Sequence, residues 1–131
     1  MKRKKELYNM SKRVMVVDDS RIVQLQLKKI LADTEYQIVA CCQSGEEALE
    51  KYGEIQPDVV TMDILMPGID GIETSRQLLK AHPHARILMV SSLAYDDTIN
   101  EANDVGVKGF VYKPFERSQI LESMSNAFRD A

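Results

Sequence analysis

The chain is predicted to fold as a doubly wound α/β domain around a parallel sheet. Short β-branched runs alternate with longer segments of helical periodicity, which implies strands joined by crossover helices. Several of the runs are apolar on both faces, as central strands covered from each side must be. With 131 residues, 44% of them hydrophobic, the chain fits one domain with a real core.

The elements follow in order. RVMVV, YQIVACC, DVVTM, RILMV and GFVY read as strands. Between and after them, SRIVQLQLKKILAD, SGEEALEKYG, DGIETSRQLLKAH, DDTINEANDVG and ERSQILESMSNAFRD read as helices. Ser20 and Ser44 are placed to cap helices and Gly53 and Gly106 to end them, while Pro57, Pro67 and Pro83 fall in connections. No linker, repeat or low-complexity stretch interrupts the alternation, so residues 13–131 form one folding unit. Residues 1–12 are basic and polar and read as a solvated tail, within which Met10 is a second candidate start.

Charge and composition exclude several classes. A net charge of −3 and a pI near 5.4 are unsuited to gripping a phosphate backbone, so direct nucleic-acid binding is not expected. No apolar run has membrane-spanning length and no signal-peptide core opens the chain, which predicts a cytoplasmic protein. Cys41 and Cys42 are adjacent; on a strand they face opposite ways and cannot bridge, and no ligand spacing relates them to His82 or His84. They read as reduced core residues.

Polar residues follow the apolar runs where a plain core strand would not need them. Asp18 and Asp19 come after the first run, Asp63 closes the third, Ser91 follows the fourth and Lys113 the fifth. In open α/β sheets the ligand site lies beyond the carboxyl ends of the strands, so these residues are expected to converge. Alone, each has an ordinary reading as a turn, cap or surface residue; their joint placement is the signal. Three close carboxylates repel one another unless a hard divalent cation sits among them, which points to Mg²⁺, with Mn²⁺ as a substitute. Such an ion would screen a phosphoryl group while Lys113 supplies a fixed positive charge and Ser91 a hydrogen bond. A carboxylate can itself attack phosphorus, and Asp63, at the end of a central strand, is the candidate nucleophile.

With these residues in view, the sequence resembles the receiver domains of two-component response regulators, including the single-domain chemotaxis type. VVDDS around Asp18 and Asp19, DVVTMDILMPGIDG around Asp63, LMVSS at Ser91 and GFVYKPF around Lys113 carry the resemblance, in family order. It implies a flavodoxin-like five-stranded sheet of order 2-1-3-4-5 with five helices. It also implies Mg²⁺ bound by Asp19, Asp63 and the backbone carbonyl of Leu65, with Asp18 assisting through water. Asp63 would be the phosphoacceptor of a histidine kinase or phosphotransfer protein, and a cis peptide would join Lys113 to Pro114. Met66, Pro67 and Gly68 would shape the loop after Asp63.

The resemblance further implies a switch in which Ser91 moves toward the phosphoryl group and Phe110 turns inward. Phe110 lacks the hydroxyl of the commoner Tyr; Tyr112 should share its facing, in a supporting role or as plain packing. Leu65 and Leu93 occupy positions that tune hydrolysis by water access, and two apolar residues there imply slow self-dephosphorylation. The message would reach a downstream protein through the face of the fourth helix, fifth strand and fifth helix. On the first helix Val23, Leu27, Ile30 and Leu31 make a core stripe, whereas Ile22 and Leu25 lie off it, either as a docking patch for the kinase or partly covered by a neighbouring loop.

Two versions share this chemistry: a stand-alone signalling switch, favoured by the short stretch after the last helix, and a receiver excised from a longer regulator with a DNA-binding or enzymatic output domain. In both the chain is a phosphoacceptor rather than an enzyme proper. A phosphatase working through an aspartyl phosphate would need a second Asp where Leu65 stands, and a flavin-binding protein would need a phosphate cradle where Asp18 and Asp19 stand.

Overall fold

A computed structural model describes residues 11–93 and 95–129. Ten elements alternate along it: β1 (Lys12–Val17), α1 (Arg21–Leu31), β2 (Tyr36–Cys42), α2 (Gly45–Ile55), β3 (Val59–Met62), α3 (Gly71–Ala81), β4 (Ile87–Ser91), α4 (Asp96–Val105), β5 (Gly109–Tyr112) and α5 (Arg117–Ala127). The five strands are parallel in the order β2-β1-β3-β4-β5. The expected flavodoxin-like order is therefore the one found. Most of the basic tail, residues 1–10, lies outside the described residues, and β1 opens at Lys12, one residue ahead of the predicted strand RVMVV.

Alternation along the strands builds two cores. Met15, Val17, Met62, Ile87 and Met89 face one way, against α2, α3 and α4 through Ala48, Tyr52, Ile72, Leu78 and Ala102. Val14, Val16, Leu88 and Val90 face the other, against α1 and α5 through Leu27, Leu31, Ile120, Met124 and Ala127. That division is why β1 and β4 read as continuous apolar runs over residues 14–17 and 87–90. Cys41 and Cys42 divide in the same way, one packed on each core, and do not pair.

Helix boundaries follow local chemistry, with one departure. Ser20 and Ser44 accept the N–H groups of Val23 and Glu47 at 3.3 and 3.1 Å, as expected of caps, and Gly106 ends α4 at φ 108°. Gly53 does not end α2. The helix continues two residues further, with open space where a side chain at Gly53 would stand, and Gln56 takes the left-handed cap position at φ 49°.

The edge of the sheet where the strands begin is held by opposite partners. Phe128, just past α5, stacks on Tyr36 with ring centroids 6.4 Å apart and lies under two cations, Lys12 at 4.4 Å and Arg86 at 5.1 Å from its centroid. Arg13 donates through its guanidinium to the Ile55 carbonyl at 2.6 Å, and its own N–H reaches the Asp58 carboxylate at 2.7 Å.

Candidate functional site

At the opposite edge the strand ends bring the expected residues together. The main chain sets the register: Asp18 N–H donates to the Cys42 carbonyl, Asp63 N–H to that of Val17 and Lys113 N–H to that of Ser91, each at 2.9 Å. Residues just past adjacent strand ends are thus fixed side by side. One carboxylate oxygen from each of Asp18, Asp19 and Asp63 falls within 4.8 Å of the others. Asp18 and Asp63 are buried and Asp19 is exposed, so the cluster has two walls and one open side.

Lys113 closes the cluster electrostatically. Its ammonium stands 2.7 Å from Asp18 Oδ2 and 3.4 Å from Asp63 Oδ1, and the Lys113–Pro114 peptide is cis. Asp63 also accepts the N–H of Ile64 at 2.9 Å. Burial, then the charge of Asp18, raise the pKa of Asp63 above the ordinary carboxylate value, and Lys113 and the Ile64 N–H oppose them. Burial and the charge of Asp18 together outweigh the lysine and the Ile64 N–H, and a hard divalent cation suits this all-oxygen donor set as the further positive charge.

Ser91 is fully buried as the last residue of β4, where its Oγ accepts the N–H of Leu93 at 3.1 Å. That contact leaves the hydroxyl hydrogen as the donor. Phe110 packs against the core of the α2, α3 and α4 side, and its ring meets that of half-exposed Tyr112 at 5.3 Å, so the two do share a facing. Leu65 is exposed, while Leu93 packs on the core. On α1, Ile22 and Leu25 stand 69% and 52% exposed, so any cover by a neighbouring loop is partial at most.

Two residues escaped sequence reasoning. Gln24 is buried on α1 and donates from Nε2 to the Asp18 carbonyl at 2.8 Å, fixing the turn that presents both aspartates. Its signal was available: a polar residue one turn before Leu27 and two before Leu31, inside the apolar stripe. Glu46 is the other, bonded to the loop after Asp63. A first-turn acid on a helix is too common to have marked it.

A five-stranded parallel sheet with an acidic cluster and one lysine at its strand ends defines a receiver-type domain, and residues 14–125 match the model of the response regulator receiver domain. The chain belongs to that family. It is 38% identical over 116 residues to the chemotaxis protein CheY of Thermotoga maritima, covering 88% of this chain and 97% of the relative. It is 36% identical over 117 residues to the response regulator GacA of Pseudomonas viridiflava, covering 88% of this chain and 55% of that one. Among solved structures it is similar to a chain of the CheX–CheY–BeF3–Mg complex from Borrelia burgdorferi, with a TM-score of 0.86, 32% identity and 90% of each chain covered. The protein is thus a receiver domain of the two-component response regulators, a signalling module rather than a conventional enzyme. No described helix is long and apolar enough to cross a membrane.

Proposed function

We propose that the protein is a cytoplasmic phosphoacceptor switch, in which Asp63 takes a phosphoryl group from a histidine kinase or phosphotransfer protein. The observation that carries this reading is the convergence of Asp18, Asp19 and Asp63 with Lys113 at the strand ends, around a carboxylate that burial and its neighbours leave short of positive charge. Asp19, Asp63 and the main-chain carbonyl of Leu65 are the residues to hold Mg²⁺, with Asp18 assisting through water. When bound, the ion supplies charge screening between the carboxylates and the phosphoryl oxygens.

In the transfer, an Asp63 oxygen forms a bond to phosphorus as the bond from phosphorus to the donor imidazole nitrogen breaks. The electron pair leaves with the ring, which then takes a proton. Lys113 stays as the fixed counter-charge and Ser91 donates to a phosphoryl oxygen. Movement of Ser91 lets Phe110 turn inward, which changes the face formed by α4, β5 and α5 for a downstream protein. Ile22 and Leu25, exposed on the first helix, suit docking of the phosphodonor. With Leu65 and Leu93 flanking the site, the phosphoryl group is lost slowly.

The test is incubation with Mg²⁺ and acetyl phosphate, followed by intact-mass measurement. A single phosphoryl adduct is expected in the wild type and none in Asp63→Asn. An unlabelled wild type, or equal labelling of the variant, would overturn the reading. A phosphoryl lifetime of seconds would remove the slow-loss part alone.

A further inference from the structure

We propose that Glu46 is a positioning residue for the loop after Asp63, holding that loop's main chain in place for the bound cation. The inference rests on the functional reading above, since it concerns the same site. The loop, residues 64–70, runs from the buried end of β3 to the start of α3 and carries Leu65. Its base is closed within itself: Gly71 N–H donates to the Ile64 carbonyl at 2.8 Å, and a side chain at Gly71 would strike the Asp63 carbonyl. Its far end is closed by a different element.

Glu46 sits in the first turn of α2, distant in sequence from the loop, and its Oε1 accepts the Ile69 N–H at 2.8 Å. Two glycines show how close the fit is. Gly68 stands at φ 81°, and a Cβ there would run into the Glu46 carboxylate, so the acid lies directly against the loop's main chain. Gly45 is pressed against Ile69 and Thr74, where a Cβ would collide with both, so the turn that carries Glu46 is itself docked. The adjacent acid is used otherwise: Glu47 accepts the Gln43 N–H at 2.9 Å and meets Lys51. Helix-dipole stabilisation accounts for an acid at either position but not for a bond to Ile69 across the groove between two elements.

Outer groups that orient a metal's ligands change affinity without touching the ion. The test compares wild type, Glu46→Ala and Glu46→Gln as full chains, using Mg²⁺ binding by calorimetry and amide exchange at Ile69 in metal-free buffer. In Glu46→Ala the Ile69 amide is expected to exchange faster and the Mg²⁺ Kd to rise roughly tenfold, the low end for an outer-shell loss. Glu46→Gln keeps an oxygen acceptor and is expected to restore both, with all three proteins unfolding at similar urea concentrations. If Glu46→Ala binds Mg²⁺ as the wild type does, this proposal alone fails. If Glu46→Gln weakens binding as much as Ala, the effect is one of charge and the proposal is again overturned. A wild type that takes up no Mg²⁺ overturns the functional reading and this proposal together.

Discussion

The two edges of the sheet treat charge in opposite ways. Where the strands begin, Arg13, Lys12 and Arg86 each meet a partner that welcomes a cation: a carbonyl, a carboxylate or the face of Phe128. Where the strands end, two buried aspartates share Lys113 and an exposed third aspartate stands beside them. Under the proposed function one edge serves stability and the other chemistry, because like charges held together at a folding cost are retained where a ligand will use them.

The comparison makes predictions of opposite sign. The largest effect is expected from Lys113→Met, which leaves Asp18 and Asp63 facing each other without their cation. A loss of about 3 kcal/mol in metal-free urea unfolding is expected, the lower end for breaking a buried pair. At the other edge, Phe128→Ala removes the ring that Tyr36, Lys12 and Arg86 pack on, at a cost of about 2 kcal/mol. A loss in Phe128→Ala within error of zero would show that the aromatic clasp holds nothing.

The third prediction reverses direction. Asp63→Asn removes the charge that burial and Asp18 oppose while keeping an oxygen for the Ile64 N–H, so stability in metal-free buffer at pH 7 is expected to rise by about 1 kcal/mol. The sign follows from the raised folded-state pKa: ionised Asp63 costs stability above that pKa and nothing well below it. The gain should therefore shrink as the pH is lowered toward the ordinary carboxylate range. Mg²⁺ is expected to stabilise the wild type in proportion to the logarithm of its concentration and the Asn variant far less. The smallest effect is Arg13→Ala, a loss of roughly half a kcal/mol for an exposed contact. If Asp63→Asn and Arg13→Ala both destabilise, the two edges are not different in kind.

The strand-end residues were legible in the sequence because a polar group straight after an apolar run breaks the local pattern, as Asp18, Asp63 and Lys113 all do. The sheet order rested on resemblance; periodicity alone identifies strands without ordering them. Groups acting across sequence distance were not legible. Nothing in the sequence singles out Phe128, whose cations Lys12 and Arg86 are distant in the chain, and Glu46 reads like any first-turn acid. Gly53 misled because a glycine is read as a helix stop, whereas here the exposed face of α2 tolerates it and Gln56 does the capping.

The chain contains no tryptophan, so its near-ultraviolet emission comes from tyrosine. Tyr112 is half in water, touches Phe110 and adjoins Lys113 in the chain. An inward turn of Phe110 would strip one side of that ring. Under the proposed switch the edge strand would carry a native optical probe, and stopped-flow fluorescence of unlabelled protein would time the outward passage of a signal from the pocket.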